Sequence, residues 1–185
     1  MISLRKFLIR TDFPAKAFYI ENDANAAAWG EAIAGAAKGS KSSVMITLGT
    51  GVGGGIIIDG KVYAGFNYAG AELGHIVIEH DGRQCSCGRK GCWEAYSSAT
   101  ALIKMTKEKL EECHARKRKT IMADAPRISG RTAFDAMRKG DPAGKEVVEK
   151  YLKYLACGLF KTKLTEEEQA SLLAWIHDII DNKLV

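Results

Sequence analysis

The chain has 185 residues, 46% of them apolar and 26% charged, with a net charge of +5. This is the composition of a soluble globular protein long enough to bury a core, as one large unit or two small ones. No run nears the roughly 20 apolar residues of a membrane span, residues 1–18 (MISLRKFLIRTDFPAKAF) show no signal-peptide pattern, and an odd count of five cysteines argues for a reduced, cytoplasmic setting over a disulfide scaffold.

In chain order, KAFYI (16–20) reads as a short strand. DANAAAWGEAIAGAAKG (23–39) reads as an alanine-rich helix with Trp29, Ile33 and Ala37 at helical spacing and Gly39 as its stop. SSVMITLG (42–49) reads as a buried strand, TGVGGG (50–55) as a glycine turn, IIID (56–59) as a second strand, and KVYAG (61–65) as the start of a third after a turn at Gly60. From Glu94 the pattern is helical through EAYSSATALIKMTKEKLEECHARKRK and again through TAFDAMRKGDPAGKEVVEKYLKYLACGL. The basic run ARKRK (115–119) reads as a solvated helix end rather than a nucleic-acid surface, so no nucleic-acid partner is expected. Thr165 and Glu168 form a capping box before a last amphipathic helix, 166–181, with Leu172, Leu173, Ile176, Ile179 and Ile180 near one face. Such a face predicts self-association or packing over the sheet edge.

Three of the five cysteines fall within HIVIEHDGRQCSCGRKGC (75–92). His75, Cys85, Cys87 and Cys92 offer one imidazole and three thiolates, the donor set of a closed, tetrahedral structural zinc site. Gly88 and Gly91 allow a tight loop around an ion, although Cys85-x-Cys87 is closer than the usual pair spacing. Four protein ligands leave no open position, so the metal is expected to fix a loop rather than to do chemistry. An imidazole has a second nitrogen to offer, and two carboxylates, Glu72 and Glu94, flank the cluster; together they read as a polar binding wall.

Three segments in order, ENDANAAAWGE (21–31), LGTGVGGGIIIDGKVYAG (48–65) and GAELGH…CSCGRKGCWE (70–94), resemble the ROK family of bacterial glucokinases, other sugar kinases and sugar-responsive repressors, from about residue 8 to about 158. The resemblance implies an α/β fold of the actin-like, ribonuclease-H-like sugar kinase type, with two lobes and a cleft. It implies Asp23 as the catalytic base that takes a proton from a sugar hydroxyl, a role compatible with capping the helix that follows. It implies Asn22, Asp23, Glu72, His75 and Glu94 as hydroxyl ligands of a hexose such as glucose, and Thr50 and Gly51 as part of a phosphate-binding turn. Its cofactors are structural zinc and, in the complete family enzyme, ATP with Mg²⁺.

The chain departs from the family pattern at both ends. The first phosphate-binding strand-turn is not seen, and residues 160–185 carry no glycine-rich adenosine turn. The expectation is therefore a partial kinase: 1–40 as a remnant of the N-terminal lobe, 41–158 as a partial C-terminal lobe with the zinc loop, and 159–185 as an atypical helical tail. Phosphorylation of a hexose by ATP is the first reading. A sugar-sensing repressor domain, or a non-catalytic zinc-binding remnant, stands as the alternative.

Overall fold

A computed structural model describes residues 21–159. The strand expected over 16–20, the Thr165–Glu168 capping box and the helix expected over 166–181 lie outside the described residues.

The β-branched runs form a three-stranded antiparallel meander, β1 (Ser43–Leu48), β2 (Val52–Ile58) and β3 (Lys61–Val62), in that spatial order. Leu48 faces Val52 across the first hairpin, and Ile58 faces Lys61 across the second. Asp59 and Gly60 turn the second hairpin with φ of 49° and 73°, the left-handed pair that a two-residue turn between twisted strands requires. The expected glycine turn over 50–55 is corrected: only Gly49–Gly51 turns, and Val52 to Gly55 lie inside β2. β1 is less buried than expected. Ile46 packs against the core, but its same-face neighbours Val44 and Leu48 are 63% and 46% exposed.

The glycines of β2 let other elements touch its backbone. Helix α1 (Asp23–Ala34) lies on one face, where a Cβ at Gly55 would stand 2.6 Å from Ala28 Cβ and from the Ala24 carbonyl. On the other face, a Cβ at Gly54 would stand 2.7 Å from the Leu73 side chain. The buried side of α1 is therefore Ala24, Asn25 and Ala28, and the expected stripe is corrected, because Trp29 and Ile33 are exposed. Small residues on both partners bring helix and strand close, and the large ones are left outside. The helix also stops earlier than expected, at Ala34, where the Gly35 N–H caps it on the Glu31 carbonyl.

The second layer is helical: α2 (Glu94–Ser97), α3 (Ala99–Ala115), α4 (Thr132–Arg138) and α5 (Pro142–Leu159). Val147, Val148, Tyr151, Leu152 and Leu155 form the buried stripe of α5 and join Trp93, Leu102 and Met105 in the core. Ser98 splits the first long helical pattern. Its backbone is extended, and its hydroxyl oxygen caps α3 by accepting the Ala101 N–H. The second pattern breaks at Gly140, with φ of 81°, followed by Asp141 and a proline at the first helical position. Among the described residues, no helix is long and apolar enough to cross a membrane.

Asp141 is buried and fully engaged. Its carboxylate accepts Thr120 Oγ1–H and Ile121 N–H at 2.7 Å each, Ala143 N–H at 2.7 Å and Gly144 N–H at 3.3 Å. Burial pushes its pKa up, but these four donors outweigh burial and hold it below the ordinary aspartate value. Its stabilisation is therefore complete above the unfolded-state value near 4 and is lost as pH falls through the lower folded value. Asp141→Ala is expected to cost about 2–3 kcal/mol in urea denaturation at pH 7, with a gap from the wild type that narrows below about pH 4.

Candidate functional site

After β3 the chain makes a short 3-10 turn, Leu73–His75, and a loop closed by small bridges. Val77 pairs with Cys92 and Gln84 with Lys90. The Gly91 N–H donates to the Arg83 carbonyl at 2.8 Å, and the Cys85 N–H to the Arg89 carbonyl at 2.9 Å. Gly91, with φ of 79°, is forced: a Cβ there would overlap the Glu79 carbonyl.

This loop brings His75, Cys85, Cys87 and Cys92 together, with one donor atom from each within 4.8 Å of every other. His75 Nδ1 lies 3.6 Å from Cys85 Sγ, and Cys87 Sγ lies 3.6 Å from Cys92 Sγ. Bonds of about 2.3 Å to sulfur and 2.0–2.1 Å to nitrogen in a tetrahedron put neighbouring donors about 3.6–3.8 Å apart. The donor set thus fits a tetrahedral ion of zinc's size. Cys87 is exposed, and the Arg89 backbone N–H and then its guanidinium bring its thiol down to about 6. Burial, then the neighbouring sulfurs, push Cys92 up to about 12. One thiolate is available near neutrality, whereas the other needs a cation beside it. Cys113 and Cys157 are not part of the cluster.

Glu94 opens α2, two residues beyond Cys92. Its carboxylate is not free. Its Oε2 accepts the Val52 N–H at 3.1 Å, and its Oε1 accepts the Ser86 hydroxyl at 3.0 Å. Gly51 has no room for a Cβ beside Glu94 Oε2. The Gly49–Gly51 turn is pinned to the start of α3: Ala99 N–H donates to the Gly49 carbonyl and Thr100 Oγ1–H to the Thr50 carbonyl, both at 2.8 Å. Thr50, Gly51, Ser86, Glu94, Thr100 and Lys104 line a cleft of about 460 Å³.

At the start of α1 the cap is Asn22 rather than Asp23. Asn22 Oδ1 accepts the N–H groups of Ala24 and Asn25, at 2.9 and 3.2 Å. Asp23 is exposed in the first turn, where its Oδ1 accepts the Ala24 N–H. Two polar neighbours here escaped sequence reasoning. Glu21 Oε1 accepts the Asn22 N–H and the amide of Asn25, and Asn25 is 3% exposed. The spacing of Glu21 and Asn25 by one helical turn was the available signal. Glu72 is exposed and makes no capping hydrogen bond.

The segments that carry these residues converge at the start of β2, although Asn22, Asp23, Glu72 and His75 do not line the cleft that Glu94 shares with Thr50 and Gly51. Ala24 approaches Gly53 from one face, Leu73 approaches Gly54 from the other, and Gly74 presses on the Val52 carbonyl while Glu94 takes the Val52 N–H. Asn22–Asp23, Glu72–His75, Glu94 and Thr50–Gly51 are thus carried by segments that converge on one strand end.

An α/β unit with a glycine strand and a one-histidine, three-cysteine loop defines the class. Residues 9–173 match the model of the ROK family, and the chain belongs to that family. The match continues past Gly158, where the motif resemblance was expected to stop. The chain is 40% identical over 126 residues to a glucokinase of Thermotoga maritima, covering 68% of this chain and 40% of that one. It is 46% identical over 93 residues to the xylose repressor of Bacillus subtilis, covering 49% of this chain and 24% of the repressor. A crystal structure of a ROK family glucokinase from Streptomyces griseus, in complex with glucose and AMPPNP, superposes with a TM-score of 0.72 at 37% identity, over 84% of this chain and 50% of that one. The chain therefore shares the fold of ROK sugar kinases and spans half or less of the length of each of these relatives.

Proposed function

We propose that the chain forms the sugar wall and part of the phosphate site of an ATP-dependent hexose kinase, glucokinase-like in its substrate. The observation that carries this reading is the Glu94 carboxylate, held between the cysteine loop and the Thr50–Gly51 turn, in a cleft that both segments line. A carboxylate fixed beside a glycine turn is suited to hold a sugar hydroxyl next to a phosphoryl group.

In this reading Glu72, His75 and Glu94 bind hydroxyls. Asn22 spends its oxygen on the helix cap and keeps its amide N–H₂ for the sugar. Asp23, exposed at the start of α1, takes the proton of the attacking hydroxyl. Thr50 and Gly51 offer backbone N–H groups to phosphate oxygens. ATP with Mg²⁺ is the phosphoryl donor that the reading requires. His75, Cys85, Cys87 and Cys92 would hold zinc, which supplies loop rigidity rather than reactivity. His75 turns Nδ1 toward Cys85, leaving Nε2 for a hydroxyl. The similarity to the xylose repressor favours a second reading, in which the same wall senses a sugar without phosphoryl transfer.

Elemental analysis of protein purified without added metal should find about one zinc per chain, falling toward zero in Cys87→Ser. An unchanged value in that variant removes Cys87 from the site. Titration calorimetry with glucose should show binding that weakens about tenfold or more in Glu72→Ala. With ATP and glucose supplied, Asp23→Asn should lower turnover by roughly 10²–10⁴-fold while changing sugar affinity far less. Glucose binding with no detectable turnover in the wild type supports the sensing reading, and the absence of any glucose heat overturns both.

A further inference from the structure

Ser86 sits between two of the clustered cysteines, and neither the metal set nor the sugar wall includes it. It is exposed, and its hydroxyl donates to Glu94 Oε1 at 3.0 Å. The other oxygen of the same carboxylate accepts the Val52 N–H at 3.1 Å. Val52 begins β2 directly after Gly51, and that glycine has no side chain because Glu94 Oε2 fills the space. The Cys85 thiol also faces Oε1, at a longer 3.9 Å, so loop and turn meet through one carboxylate, one oxygen for each. A glutamate has three side-chain torsions, and charge-assisted hydrogen bonds from opposite sides restrict it to one arrangement.

We propose that Ser86 is a positioning residue: its hydroxyl, carried by the cysteine loop, and the Val52 N–H, carried by the Thr50–Gly51 turn, clamp Glu94 between them, so that the loop sets both the aim of the carboxylate and the shape of the turn. The consequence for sugar rests on the reading of Glu94 as a hydroxyl ligand. The clamp itself does not.

The test uses the full chain in three forms, wild type, Ser86→Ala and Ser86→Thr, with equal zinc content verified by elemental analysis. The direct readout is the Val52 amide, by its resonance position and its hydrogen-exchange rate. Ser86→Ala should shift that resonance and speed its exchange by about tenfold, the size expected for losing one hydrogen bond to a charged group, and Ser86→Thr should restore both. Gly51→Ala, which displaces Glu94 from the other side, should give the same Val52 signature with Ser86 intact. A Val52 amide indifferent to Ser86→Ala, or unrestored by threonine, overturns the clamp. Glucose affinity is measured alongside and should fall about tenfold in Ser86→Ala. A responding Val52 amide with unchanged or absent glucose binding leaves the clamp standing and instead refutes the sugar role of Glu94.

Discussion

The structure depends on one strand being bare. β2 carries three consecutive glycines, and the space of each absent side chain is taken by neighbouring residues, with Thr47 of β1 nearest at Gly53. Ala24 and Ala28 occupy the space at Gly53 and Gly55, and Ala71 and Leu73 occupy it at Gly54. Glycine in a strand interior costs stability through backbone entropy and lost packing. What offsets that cost here is close approach. A helix start, a 3-10 turn and a carboxylate all reach the backbone of the same few residues. Ordinary strand side chains would hold helix and sheet further apart and would separate Asn22–Asp23 from the rest.

Much of this was legible in the sequence, for reasons that differ by residue. The cysteine loop was legible because metal chemistry demands particular donor types, and His75, Cys85, Cys87 and Cys92 lie close along the chain. The second hairpin was legible at Gly60, but Asp59, read as the end of the strand, proves to be the other left-handed residue of the turn. The buried face of α1 was not. Alanine packed on glycine has almost no hydrophobic signature, whereas Trp29 and Ile33 imitate one and face outward. The state of Glu94 was also illegible locally, since its partner Val52 is 42 residues away in the chain. The same holds for Asn22. Its type suits a cap and a sugar ligand equally, and only the hydrogen bonds to Ala24 and Asn25 show that its oxygen is committed.

Magnitudes separate what places the cysteine loop from what aims its groups. Trp93 stands between Cys92 and Glu94, is 1% exposed, and donates its indole N–H to the Tyr154 carbonyl of α5 at 3.1 Å. Truncating a buried tryptophan costs about 3–5 kcal/mol. A single hydrogen bond to a charged group contributes about 1.5–3 kcal/mol, and less where solvent reaches it. The position of the loop on the body is therefore fixed by apolar burial against α5, and the weaker polar contacts of Ser86 and Val52 cannot move it. They can select among the rotamers of a side chain whose backbone is already held. That ordering explains why the site sits where it does. Trp93 lets the core carry the main chain of residues 92–94 rigidly, so the modest energies of the hydrogen bonds that Ser86 and Val52 give Glu94 suffice to orient a carboxylate toward the cleft beside Thr50 and Gly51.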